Sequence, residues 1–289
     1  MRIYFTIACC LISSLYCFSQ VNDDEIVDAL IDELLLDQNV KFDEYHLSLS
    51  NFNLLYTSLN YNSNTYFTGR EIGYNQYNVV PQVTYVSSKG IYGGISGTYF
   101  SEFYPKWDFT VAFLGYGRSF GKDQIANYTI SFSKYFYANN EDDFFGNTID
   151  VGLGLRSKNK KISTQLIYTY LFGNEQSFQV ASKNYVSFNL TQRNNYSLKL
   201  RPQLNIIYGK QTIETPTVTI IHGFETIVYS KKNILDFMNT QFKFPLQYSY
   251  KNLDLEVGYT INFPNPIGNE TNLNSTDFFN VTIGYLIAL

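Results

Sequence analysis

The chain has 289 residues, of which 18% are aromatic (26 Tyr and 24 Phe) and only 16% charged, with a formal net charge of −4. So few charges among so many rings exclude a disordered chain. An acidic balance without a Lys/Arg block excludes a nucleic-acid partner.

Residues 1–19 read as a secretory signal. Arg2 is the lone positive charge, Ile3 to Leu15 is almost wholly apolar, and the small Cys17 and Ser19 precede Gln20. The apolar run is too short for a membrane anchor, and Tyr16 before Cys17 does not suit a lipid-modified cysteine. All three cysteines, Cys9, Cys10 and Cys17, fall in this segment. The mature chain therefore uses no disulfide, thiolate metal site or cysteine nucleophile. It has no run of 18 apolar residues, hence no helical membrane span.

Residues 20–44 hold nine acids against one base, Lys41. Ile26, Val27, Leu30, Ile31, Leu34 and Leu35 recur at helical spacing, interleaved with Asp28, Asp32 and Glu33. Asn22, with Glu25 three residues on, is a capping-box-like start. This spacing predicts an amphipathic helix over 23–37, in an acidic N-terminal periplasmic segment ahead of a 45–289 domain.

From about residue 52 the pattern changes to period-2 alternation. In 253–263, Leu253, Leu255, Val257, Tyr259, Ile261 and Phe263 face one way and Asp254, Glu256, Gly258, Thr260 and Asn262 the other. Twelve such strands are expected, over 52–61, 77–88, 91–102, 107–120, 124–138, 147–157, 161–172, 184–192, 196–208, 240–250, 252–263 and 278–289. At about 10–13 residues the clearest of them exceed the usual soluble strand of about 5–6 and match a tilted membrane-crossing one. Tight turns such as Ser88-Lys89-Gly90 and Lys251-Asn252 alternate with longer links at 62–76, 103–106, 139–146, 173–183, 209–239 and 264–277. That alternation, with an even strand number, predicts a transmembrane antiparallel up-and-down barrel with tight periplasmic turns, longer outer loops and both termini on the periplasmic side. An extra hairpin around His222-Gly223 would raise the count to fourteen if it entered the membrane. Rings such as Tyr128, Phe136, Tyr168, Phe172, Tyr208, Tyr248 and Tyr250 would supply the interfacial girdles.

The signal ending Phe18-Ser19-Gln20, the Tyr/Phe/Asn-rich strands of 52–289 and the alternating last strand together resemble outer-membrane β-barrel proteins of Gram-negative bacteria, particularly the uncharacterised Tyr/Phe/Asn-rich barrels of the Bacteroidota. The last strand departs from their usual assembly signal in ending on Leu289 rather than an aromatic residue. The resemblance implies insertion into outer-membrane lipid by the barrel-assembly machinery. It implies no substrate.

Inward charges are expected at Asp108, Arg118, Asp150, Arg156, Lys199, Arg201, Lys243, Asp254 and Glu256. They form either a selectivity lining or a salt-bridged filling of a narrow bore. The bases Arg118, Arg156, Lys199 and Arg201 fall toward the periplasmic ends of their strands, beside the acidic helix. That helix, through Ile26, Asp28, Leu30, Ile31, Asp32, Glu33 and Leu34, is then a partial plug, a solvated arm or a docking peptide for a partner protein. His46-Leu47-Ser48 resembles the His-x-Ser of outer-membrane lipid hydrolases but lies on the opposite side from theirs. Glu141, Asp142 and Asp143 read as a solvated loop rather than a Ca²⁺ site. The sequence therefore predicts neither an enzyme nor a cofactor. It predicts a pore for small polar solutes, or a closed barrel binding a partner through the helix or the 209–239 loop.

Overall fold

The computed structural model describes residues 53–289 apart from 72–74, 121–124, 139–144, 194–195, 222–223, 268–269 and 272; for 211–233 it describes the backbone alone. Alternating residues of the right period build a sheet with two unlike faces, and twelve antiparallel strands close it into a barrel. In chain order β1 (Asn53–Asn62) is followed by a small hairpin, β2 (Tyr66–Phe67) and β3 (Arg70–Glu71). Then come β4 (Asn78–Ser87), β5 (Ile91–Phe100), β6 (Trp107–Phe120), β7 (Ala126–Tyr137), β8 (Asn147–Arg156) and β9 (Ile162–Phe172). The next three strands of the ring are each broken once. β10 (Gln176–Val186) runs on as β11 (Phe188–Arg193), β12 (Tyr196–Leu200) as β13 (Gln203–Ile221), and β14 (Phe224–Lys243) as β15 (Leu246–Tyr250). β16 (Leu253–Pro264) and β17 (Thr276–Ala288) complete the ring, and β17 pairs with both β16 and β1.

Closure leaves the ring without a free edge, which is what a sheet needs where no water can hydrogen-bond its backbone. The breaks lie side by side. Pro202 and Pro245 carry no N–H for a ladder bond, yet their carbonyls accept from Val186 and Arg201 at 3.1 and 3.0 Å. The ladder therefore continues through the bend.

The last residue donates its N–H to the Asn53 carbonyl at 2.9 Å, so both ends of the described chain meet at one rim. The tight turns 88–90, 157–161 and 251–252 lie at that same rim, called here the turn end; the other is the loop end. Gly90 (φ +87°), Lys160 (φ +54°) and Lys251 (φ +53°) take the left-handed conformation these turns require.

The expected strand count of twelve holds, with two corrections. The 173–183 link is a short turn, because β10 starts at Gln176 and pairs with β9 from Gln176↔Phe172 to Val186↔Ile162. The 209–239 link is strand as well: β13 and β14 pair from Gln203↔Lys243 to Ile221↔Phe224. Its hairpin grows out of two ring strands and does not add two more. Beyond Gly209 on β13 and Asn239 on β14 neither strand pairs with the ring. Twelve further residues at ~3.3 Å each carry the hairpin about 40 Å beyond the loop end.

Burial is inverted relative to a water-soluble domain. Leu114, Leu153, Leu155 and Ile162 are more than half exposed, as are some forty large apolar or aromatic side chains at a third or more. Only nine apolar side chains are buried among the described residues, and the rest of the buried set is Ser, Thr, Asn, Gln and charged residues. Leaving a large apolar side chain in water forgoes about 1.5–3 kcal/mol, so an outer face of this kind calls for hydrocarbon around it. Phe136, Tyr168, Tyr208, Tyr248 and Tyr250 lie on it as expected. Near the loop end Phe279, Tyr61, Tyr77, Tyr99 and Trp107 form a chain of ring contacts at 6.0, 5.7, 6.4 and 5.5 Å. Such a belt suits a membrane–water interface. Residues 1–52, with the expected signal, the helix of 23–37 and His46-Leu47-Ser48, lie outside the described residues.

Candidate functional site in the barrel lumen

Directly opposed residues in an antiparallel pair share a face, so the registers assign every lumen residue. On one wall β13, β14, β16, β17 and β1 turn amides inward. Gln203 donates to Asn205 at 2.7 Å, Asn205 to Gln241 at 2.9 Å and Gln241 to Asn262 at 2.8 Å. Asn262 then donates to Thr276 Oγ1 at 3.2 Å, and Thr276 to the Gly69 carbonyl at 2.8 Å. A second ladder runs through Asn60, Asn62, Asn78 and Thr282 at 2.7 Å each. Amides suit this task because each carries both donors and acceptors.

The facing wall, on β5, β6 and β7, is aromatic. Phe109 contacts Phe100, Tyr135 and Tyr137 with centroids 5.9–6.3 Å apart, and Phe100 also meets Phe103 at 5.0 Å. Toward the turn end the bore is packed. Leu54, Tyr56 and Val86 are fully buried and Leu286 nearly so. Gly284 makes this possible, because a Cβ there would collide with the Tyr56 hydroxyl.

Between these regions lies a cavity of about 440 Å³ on the amide wall, lined among others by Asn60, Asn239, Gln241, Asn262, Asn280, Lys243 and Glu256, with Tyr66 and Phe278 at its loop-end side. Glu256 is 2% exposed and accepts from Gln247 at 2.7 Å and Asn280 at 3.2 Å.

The β2–β3 hairpin reaches into this cavity from above. Its two-residue turn, Thr68 (φ +47°) and Gly69 (φ +83°), has the paired positive φ of a tight hairpin. At Gly69 a Cβ would stand 2.8 Å from the Asn239 amide, so only glycine seats there without displacing it. Arg70, 8% exposed, holds the hairpin down. It pairs with Glu270 at 3.0 Å and donates to the Asn265 and Met238 carbonyls at 2.6 and 3.3 Å. Burial opposes ionisation of Glu270, but the Arg70 hydrogen bonds, the Ile267 N–H and the Arg70 charge outweigh it and hold the carboxyl below the ordinary carboxylate range.

The registers sort the expected charges. Asp150, Arg156, Lys199, Lys243, Asp254 and Glu256 share faces with inward polar partners, and Arg201, at the break between β12 and β13, is buried with them. Asp150 accepts from Thr169, Ser131 and Thr148. Arg118 does not join them. It opposes Tyr128, which contacts Tyr116 and Phe120 on the outer face, so Arg118 belongs to the turn-end rim of that face. A long cationic side chain at a rim can lie along apolar surface while its head reaches polar headgroups. Asp108 sits where the β5–β6 register shifts between Thr98 and Tyr99.

Sequence reasoning passed over Lys183, which opposes buried Gln165 and Asn205 and so faces inward. It also passed over the Arg70–Glu270 clasp. Thr68-Gly69 between two strand-like dipeptides was the signal for the hairpin; nothing local marks Glu270, 200 positions away. Among the described residues no group of three or more His, Cys, Asp or Glu could hold a metal ion. Glu141, Asp142, Asp143 and His222 lie outside the described residues.

No family model and no curated protein matches the chain. Solved structures that resemble it include a KdgM porin (8% identity, TM-score 0.45, covering 80% of this chain and 98% of that one) and a NanC porin (12%, 0.46, 80% and 98%). A third is an outer membrane channel from Pseudomonas putida F1 (10%, 0.47, 86% and 100%).

Proposed function

We propose that the protein is an outer-membrane channel through which small polar solutes pass, exported by the signal of residues 1–19 and partly plugged by the acidic N-terminal helix. The observation that carries this reading is the amide-lined cavity of about 440 Å³, because a barrel needed only as a scaffold gains nothing from a roomy polar interior. The plug is supported by charge. The inward bases Arg156, Lys199 and Arg201 lie toward the turn end, where residue 53 enters the barrel, and are the complement of Asp28, Asp32 and Glu33.

Conductance of the mature protein in planar bilayers is the test. A steady open current that rises when residues 21–40 are deleted is expected. An unchanged current on deletion would remove the plug, and a silent bilayer with either chain would remove the channel. One observation favours a second reading, a closed barrel that docks a partner protein. Among the described residues the outer part of the β13–β14 hairpin forms strand pairs only with itself. Removing 211–233 would then abolish partner co-purification and leave conductance untouched.

A further inference from the structure

We propose that Arg201, stacked on Tyr185, is a carboxylate-binding site inside the lumen. Arg201 is 4% exposed, and its guanidinium carbon lies 4.5 Å from the centroid of the Tyr185 ring, itself 3% exposed. Its backbone N–H is spent on the Pro245 carbonyl at 3.0 Å. Its side chain hydrogen-bonds to no described residue, its Nε is fully buried without a partner, and no acid among the described residues lies within 4.0 Å.

A guanidinium has five N–H donors and cannot shed its charge. Stacking on a ring attracts the cation through its face but satisfies none of those donors. A charge buried this way is stable only with an anionic partner that also accepts its hydrogen bonds. The geometry selects the partner. A guanidinium is itself a flat plate, and with the Tyr185 ring over one face its edge is left to present a planar fork, which matches a carboxylate bidentately. Lys183 and Lys199 lie on the same inward face two positions from Tyr185 and Arg201, Arg156 faces inward two strands from Tyr185, and all three bias the site further toward anions. Glu256, the buried acid that interacts with Arg201 through space, makes no direct bond to it and accepts from Gln247 and Asn280 instead.

One chemistry has two sources here: a free organic acid in the lumen, or the nine acids of residues 20–44 that precede β1 at the same rim. Residues tethered to that rim act at high effective concentration, so they compete with any free acid. The inference deepens the channel reading and rests on its account of the lumen as solute-accessible.

The experiment is a succinate titration of the folded barrel in detergent, read as the midpoint temperature of the heat-modifiable gel shift, with NaCl at matched ionic strength as the control. Succinate is expected to raise the midpoint of the protein lacking 20–44, and to do so less in the full mature chain. Equal shifts in both would assign the site to free acids alone. Arg201→Gln should weaken the apparent affinity by about tenfold or more. Arg201→Lys, which keeps the charge and loses the fork, should weaken it less while folding normally. No succinate-specific shift in either chain, or a shift that survives both substitutions, would overturn the proposal. A silent bilayer would sink the channel reading and leave this titration standing.

Discussion

The two walls of the lumen are built from the same strand geometry but stabilised by different physics. The amide wall is a directional network: each of Asn205, Gln241 and Asn262 is fixed by a neighbour on the next strand. The aromatic wall of Phe100, Phe109, Tyr135 and Tyr137 is held by ring packing, which tolerates sliding and contributes about 0.5–1.5 kcal/mol per pair. A buried amide that loses its partner costs about 1–3 kcal/mol, so the amide wall specifies register while the aromatic wall mainly fills space. The clasped hairpin sits over the specified wall. Gly69, Asn239 and Thr276 meet there, and a hairpin tip can be seated reproducibly only on groups that are themselves fixed.

The comparison breaks first if the faces are assigned wrongly. Leu114→Arg places a charge on the lipid side of β6 and is expected to cost about 2–4 kcal/mol if near the bilayer midplane; Phe113→Arg, one residue along on the lumen side, should cost much less. Urea unfolding in lipid vesicles measures both, and equal losses would contradict the inside–outside assignment. Next in size is Asn262→Leu, which strands Gln241 and Asn239 and should lower stability by about 1–3 kcal/mol in the same assay. Phe109→Leu, on the other wall, should cost about 1 kcal/mol and widen the bore, raising conductance.

The smallest effect is the pH response of the clasp. Glu270 is held below its ordinary range in the folded protein, so the unfolded chain binds the proton more readily. The contribution of the Arg70 pair is therefore complete above the unfolded carboxylate pKa of about 4.3 and is lost as pH falls through the lower folded value. Loop-end gating noise in single-channel records should rise in that acidic window and be pH-independent, and already high, in Glu270→Gln.

Most of the barrel was legible because lipid enforces a simple rule on alternate residues. It was obeyed cleanly in β16, where Leu253 to Phe263 alternate with Asp254 to Asn262. The rule blurred where the outer face carries few apolar groups. In β10 the outward positions include Ser182 and Asn184, which satisfy one another, Thr164 and the Leu204 carbonyl, so 176–183 resembled a loop. It does not apply to the outer part of β13–β14, where strands pair with each other rather than with the ring. Arg118 lies on the outer face by register, and at the rim polar headgroups accept a charge that hydrocarbon would not. The lumen charges were legible by parity, but their company was not. Arg70 with Glu270 and Arg201 with Tyr185 join residues that are distant in sequence or on strands whose registers break at Pro202 and Pro245.

The central claim is that one face of every ring strand meets hydrocarbon and the other a polar interior. With every cysteine at or before Cys17, a chain starting at Gln20 is a cysteine-free background for single spin labels at successive positions 253–263 in lipid vesicles. Collision with oxygen, which dissolves in hydrocarbon, should peak at Leu253, Leu255, Val257, Tyr259 and Ile261, and collision with a water-soluble nickel chelate at the positions between. Loss of that two-residue period, or an aqueous signature at every position, would contradict the closed lipid-facing barrel.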